Sequence, residues 1–209
     1  MNHKDYIGVL FLNAVNMENI LKSKVMKEPF DHYIVDDFLI GLDWVNSSKD
    51  INERKRLGIE IDSPWKFLFP LDNILREDVV NNMDIILKKF GKHKQSNTKN
   101  YKVLTGFTFT EPGTVYPTHE DSNKEIAGKH FKGIPSSFQP PWTSVVYLWP
   151  FKGGNGTVLY RDGVIDKKVE WKHNRALVFS PGVDATYHSF ENTTDKLRIT
   201  LNINIVSYD

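Results

Sequence analysis

The sequence has no cysteine among its 209 residues, which excludes disulfides, thiolate zinc sites and cysteine nucleophiles together and leaves the redox compartment open. It has little that would engage a membrane. The apolar run at residues 6–12 (YIGVLFL) falls far short of the roughly 20 residues of a spanning helix, follows little positive charge and precedes no small-residue cleavage signature. It is expected to form a buried strand or short core segment of a cytoplasmic protein. An excess of one charge is also missing: 27 Lys and Arg meet 26 Asp and Glu, for a formal net charge of +1. Such a balance announces neither a nucleic-acid nor a membrane partner. Internal repeats and low-complexity tracts are absent.

What is present is an apolar fraction of 40%, with five Trp, eight Tyr and thirteen Phe, enough large side chains for a substantial core in a chain of this length. The periodicity changes midway. Leu75, Val79, Met83, Ile86, Leu87 and Phe90 recur at three- and four-residue steps, predicting one helix over residues 72–90. Pro70 and Asp72 precede it, Glu77 and Asp78 lie near its start, Lys88 and Lys89 in its last turn, and Gly91 follows. Upstream, HYIVDDFLIGLDWVNSS reads as a strand over residues 32–35, an acidic turn and a short helix. From Tyr101 onward the runs YKVLTGFTFT, WTSVVYLW, GTVLYRDG, RALVFS, ATYHSF and LRITLNINIVSY are short, rich in β-branched and aromatic residues, and divided by Gly, Pro and Asn. The fold class implied is mainly β with α. A support region (1–95) packs on a jelly-roll core (96–209), and the two make one structural domain. The long connection at residues 122–141 has little periodicity and is expected to act as a lid.

The chemistry concentrates in YPTHEDS, residues 116–122. In an extended segment His119 and Asp121 share a face and Glu120 turns away. Imidazole and carboxylate together suit a divalent ion. Chance alone supplies about one His-x-acid pair in a chain of this composition, and the second match, His3-Lys4-Asp5, has nothing around it. The third ligand is expected to be His188, in the strand-like ATYHSF. His32 precedes the helical region, His93 and His130 lie in polar segments, and His173 sits in a charged turn.

Ten residues after His188 comes Arg198. A fold-back about Thr193 sets the two level on neighbouring strands; placement on two opposed sheets of a jelly roll also lets both face the interior. Either way a guanidinium lands beside the metal, where an uncompensated charge is costly. A dicarboxylate chelating the ion at one end and pairing with Arg198 at the other satisfies both groups. Two His and one carboxylate on one face of the ion form the facial triad of non-haem Fe(II) oxygenases.

With these residues in view, the chain resembles the 2-oxoglutarate and Fe(II)-dependent oxygenases, in particular the prolyl 4-hydroxylase-like branch. The likeness rests on YIVDDFL, GTVYPTHED, TSVVYL, GGNGTVLY, RALVFSP, and His188 with Arg198-Ile199-Thr200, in that order. It implies a double-stranded β-helix with N-terminal supporting helices. It also implies Fe(II) on His119, Asp121 and His188, and 2-oxoglutarate on Arg198, with Thr200 supporting the distal carboxylate and Tyr147 and Thr143 lining the pocket. Gly153 and Gly154 would form a tight turn. Where some relatives place Tyr ten residues before the first ligand, this chain has Phe109. The carboxylate of Asp121 favours hydroxylation over halogenation, and a cupin would carry two His separated by one residue. The expected activity is hydroxylation of an unactivated C–H bond in a small-molecule or peptide substrate, such as a prolyl residue, with consumption of O2 and release of succinate and CO2. The alternative is a non-catalytic jelly-roll module for a metal or ligand.

Overall fold

Strict alternation in RITLNINI organises the main sheet, because residues two apart on a strand share a face. In the computed structural model, which describes residues 14–40, 73–90, 101–121, 141–181 and 185–207, this run is β11 (Arg198–Ser207). Its neighbours are β4 (Tyr101–Thr110) and β6 (Trp142–Trp149), both antiparallel. The sheet continues through β9 (Arg175–Phe179) to β2 (His32–Val35), giving the order β2-β9-β6-β11-β4. A second sheet has the order β5-β10-β7-β8, built from β5 (Val115–His119), β7 (Val158–Arg161), β8 (Val164–Lys168) and β10 (His188–Glu191). The two antiparallel sheets form the expected jelly roll.

Two apolar clusters show how the layers stack. Ile199, Leu201, Ile203 and Ile205 of β11 join Trp142 and Val146 of β6, Ala176 and Val178 of β9, and the helix residues Leu75, Val79, Met83, Ile86, Leu87 and Phe90. Phe30, Tyr147, Leu159, Val169, Leu177 and Phe179 pack together between the sheets. The alternate residues of β11, namely Arg198, Thr200, Asn202 and Asn204, therefore face the second sheet. Arg198, Thr200 and Asn204 are buried. A strand that turns its apolar face to supporting helices and its polar face inward leaves an interior fit for a polar ligand.

The helical stripe is preserved, but as two helices. α2 (Asn73–Asn81) and α3 (Met83–Lys88) follow α1 (Met17–Lys22) and are separated at Asn82. The Asn82 side-chain amide donates to the Asp78 carbonyl at 2.8 Å, sharing it with the Asn82 backbone N–H at 3.1 Å, a local side-chain bond typical of Asn. All six apolar residues still reach the core. Asp78 uses its carboxylate to accept from the Val15 N–H at 2.8 Å.

After the acidic turn the chain forms no helix at its first residues. β3 (Leu39–Ile40) pairs with β1 (Ala14–Val15). Asn174 clamps Leu39, its Oδ1 accepting from the Leu39 N–H at 2.9 Å and its Nδ2 donating to the Leu39 carbonyl at 3.0 Å, and this tertiary clamp overrides helix propensity. β8 adds to the strands expected. It returns from β7 through Asp162 and Gly163, both at positive φ (50° and 77°), as a two-residue hairpin turn requires. Residues 6–12, residues 41–48 of the segment expected to be helical, residues 122–140 of the connection, His3, His93 and His130 lie outside the described residues.

Candidate active site

β5 carries a bulge. His188 pairs with His119 and Phe190 with Tyr116, so Pro117 and Thr118 together oppose Ser189. The extra residue brings Tyr116 and His119 onto one face despite their three-residue spacing, the re-aiming that bulges perform beside functional sites. Asp121 follows in the turn after the strand. His119, Asp121 and His188 converge, with ligand atoms within 4.8 Å of one another. The Asp121 Oδ1 lies 3.6 Å from the His119 Nε2 and 3.7 Å from the His188 Nε2.

Both imidazoles are oriented the same way. The His119 Nδ1 lies 2.9 Å from the Pro117 carbonyl and the His188 Nδ1 2.8 Å from the Thr186 carbonyl. A carbonyl only accepts, so each Nδ1 carries a proton and each Nε2 is left facing Asp121. Burial, joined by the neighbouring His119, pulls His188 down to about 4, which keeps it in the neutral, ligating form. Burial opposes ionisation of Asp121, but His188 and His119 outweigh it and hold the carboxyl below its usual range. Burial and the Asp121 charge push the Tyr116 hydroxyl up to about 12. Its ring meets His119 edge-on at 4.4 Å and stacks on Phe190 at 5.4 Å. The donor set, two imidazole nitrogens and one carboxylate, fits a divalent transition metal.

β10 and β11 belong to opposed sheets, so His188 and Arg198 face each other across the interior rather than side by side. Arg198 is 1% exposed. Its guanidinium carbon lies 4.2 Å from the Phe190 ring centroid, 5.3 Å from Trp171 and 5.9 Å from Tyr147, within cation–π range of all three. The Nε donates to the Asn155 carbonyl at 3.2 Å, and burial pulls the guanidinium down to about 10. Its Nη2 is buried without a hydrogen-bond partner, and no carboxylate pairs with it among the described residues. Phe190 stands one same-face step, roughly 7 Å, along β10 from His188. The orphaned donor and the triad thus line the same interior between the sheets, and a cation without a partner facing two imidazoles and a carboxylate suits a ligand with two acid groups, as 2-oxoglutarate has.

The other expected pocket residues divide. Thr200 is buried on the same face of β11 as Arg198, and Tyr147 is its Cα partner on β6. The Tyr147 ring walls the chamber, but its hydroxyl is committed: it donates to the Thr157 Oγ1 at 2.8 Å and accepts from the Thr157 N–H at 3.1 Å. Thr143 stands four residues along β6 from Tyr147, in register with Asn204, to whose Oδ1 its hydroxyl donates at 2.8 Å. It is away from Arg198. Phe109, on the opposite face of β4 from Thr110, packs against the helical core. Gly153 has φ +75°, as a turn requires. Gly154 presses on Trp171, where an added Cβ would lie 2.5 Å from the indole. Trp171 in turn stacks on Tyr147 at 4.7 Å. Of the residues that sequence reasoning missed, Phe190 was within reach, two residues from His188 on the same strand face. Trp171 and the Asn155 carbonyl leave no such local signal.

No protein-family model matches the sequence, and no curated protein matches it. Solved structures do. The chain is similar to a viral collagen prolyl hydroxylase from Paramecium bursaria chlorella virus-1, with a TM-score of 0.50 and 17% identity over 76% of this chain and 82% of that one. It is also similar to a prolyl-4-hydroxylase from Pseudomonas putida, with a TM-score of 0.49 and 15% identity over 100% of this chain and 97% of that one. At these identities the likeness to the viral structure is one of fold: the jelly roll described above is the one that protein uses.

Proposed function

We propose that this protein is an Fe(II)- and 2-oxoglutarate-dependent dioxygenase that hydroxylates an unactivated C–H bond of a prolyl residue or another amino-acid-like substrate. One observation carries the reading: a buried guanidinium with an orphaned Nη2 faces the same interior as the cluster of His119, Asp121 and His188. A structural metal site has no use for a desolvated cation opposite it. A diacid bridging the two gives the cation its missing partner.

His119, Asp121 and His188 hold the metal through Nε2, a carboxylate oxygen and Nε2. Arg198 takes the distal carboxylate, with Thr200 beside it and Tyr147, Trp171 and Phe190 forming dry walls that strengthen the charge-assisted contact. Thr143 lines the pocket farther along β6. The Pro117 and Thr186 carbonyls fix both imidazoles before any ion arrives. When bound, the iron with 2-oxoglutarate and O2 supplies oxidative decarboxylation to succinate and CO2 together with C–H hydroxylation, and the protein contributes geometry and exclusion of water. The viral structure's description as a collagen prolyl hydroxylase makes proline-containing peptides the first substrates to try.

The test is succinate release. Protein supplied with Fe(II), 2-oxoglutarate, O2 and a panel of prolyl peptides is expected to form succinate, and Asp121→Ala is expected to lose both activity and metal. Wild type that binds no metal, or Asp121→Ala that keeps full metal affinity, sinks the reading.

A further inference from the structure

Thr110 is the direct cross-strand partner of Arg198 in the β4–β11 ladder, so the two side chains project from the same face of the sheet. Thr110 is fully buried, and its Oγ1 has no hydrogen-bond partner. Arg198 is fully buried too, and its Nη2 has none. Other orphaned hydroxyls exist among the described residues, including Ser144 and Ser180, but Thr110 is the one set directly across from the orphaned guanidinium. Its neighbour on that face, Thr108, already receives the Asn202 amide at 3.1 Å. The Thr110 backbone is held independently, its carbonyl accepting from the Asn192 Nδ2 at 3.0 Å.

An isolated buried hydroxyl is costly and uncommon. Two orphaned donors side by side, one of them charged, describe the complement of a single anionic acceptor. A carboxylate offers about four lone-pair sites over two oxygens, so it serves a guanidinium and a hydroxyl at once. We infer that Thr110 is a second donor to the distal carboxylate of the diacid held by Arg198, and that this hydroxyl, with the guanidinium, selects a ligand bearing a second acid group. The inference rests on the cosubstrate reading above and adds to it a residue on β4, one position after Phe109 and on the opposite face of the strand.

The experiment uses protein loaded with Mn(II) under nitrogen, titrated calorimetrically with 2-oxoglutarate and with 2-oxobutyrate, a 2-oxoacid without the distal carboxylate. Thr110→Val keeps the shape and deletes the donor. It is expected to weaken 2-oxoglutarate about 10- to 100-fold, the range for a hydrogen bond to a charged group, with Mn(II) and 2-oxobutyrate affinities unchanged. Thr110→Ser is expected to stay within about threefold of wild type, since it keeps the hydroxyl. The melting temperature of Thr110→Val should not fall, because no internal hydrogen bond is lost, whereas a purely structural role would lower it. Thr110→Val that binds 2-oxoglutarate like wild type, or that loses 2-oxobutyrate equally, overturns the assignment of Thr110 alone. Wild type that binds no 2-oxoglutarate overturns the cosubstrate reading, and this inference with it.

Discussion

Arg198 and Phe190 meet across the two sheets, the guanidinium carbon 4.2 Å from the ring centroid, with no carboxylate on the other side among the described residues. Ring contacts offset part of the desolvation of a cation, but only part. The fold therefore holds this charge at a net cost, which a diacid of the kind proposed above would recover.

Replacing Arg198 with Met separates the two roles. An apolar side chain of similar reach removes a desolvated charge, so Arg198→Met is expected to melt at the wild-type temperature or above it. Its affinity for 2-oxoglutarate should fall by at least about 30-fold, from the 2–5 kcal/mol lost when one member of a buried charge pair is truncated. Thermal melts and calorimetry check the two halves. A marked drop in melting temperature would mean that the guanidinium supports the fold directly.

Gly154 and Gly156 bracket Asn155, whose carbonyl holds the Arg198 Nε, and their added Cβ atoms meet different obstacles. At Gly156 the obstacle is backbone, the Val169 carbonyl oxygen at 1.7 Å, so Gly156→Ala must displace a strand connection and is expected to destabilise by about 1–3 kcal/mol. At Gly154 it is the Trp171 indole at 2.5 Å, a side chain that can shift. Gly154→Ala should therefore lose more 2-oxoglutarate affinity, relative to stability, than Gly156→Ala does. Urea midpoints beside binding titrations distinguish the two, and identical profiles would show that Trp171 does not steady Arg198.

Asp36 ties the end of β2 to β9. Its Oδ1 accepts from the Arg175 Nε at 2.6 Å, and its Oδ2 accepts from the Arg175 Nη2 at 3.2 Å and the Lys172 Nζ at 2.9 Å. The Arg175 contacts, aided by Lys172 against some burial, hold the carboxyl down at about 2. A carboxyl lowered in the folded state stabilises fully above its unfolded value near 4 and loses that contribution as pH falls from about 4 to about 2. The Asp36 side chain is 39% exposed, so screening limits the contribution to about 1 kcal/mol. Asp36→Asn should accordingly lower the urea midpoint at pH 7 and pH 5, and the gap from wild type should narrow by pH 3. A gap that stays constant over that range would remove the ion pair from the account.

Much of the site could be read along the chain. His119 and Asp121 announce themselves by spacing, His188 by lying in a strand-like run of the β-rich half, and Arg198 by the charge it would bury. The polar rows of RITLNINI follow from alternation alone. Other features depend on partners far apart in sequence. The bulge at Pro117 and Thr118 exists only against Ser189, and it is what puts Tyr116 on the face of His119. The break at Asn82, where the side chain shares the Asp78 carbonyl with its own backbone N–H, falls within an otherwise regular apolar stripe that gives no sign of it. The short β3 depends on Asn174, 135 residues away. Trp171 and Asn155 reach Arg198 through turns whose geometry no periodicity encodes.

The two rows of β11 answer to different pressures. Substitutions among Ile199, Leu201, Ile203 and Ile205 are read by the helices behind the sheet, so they tune rigidity and tolerate exchange between aliphatics of like volume. Substitutions at Thr200 are read by the interior between the sheets, whereas Asn202 and Asn204 also bridge to Thr108 and Thr143. A single ten-residue ribbon thus offers an engineer a foundation and a workbench on opposite sides, and the workbench can be refitted for a new guest while the foundation is left alone.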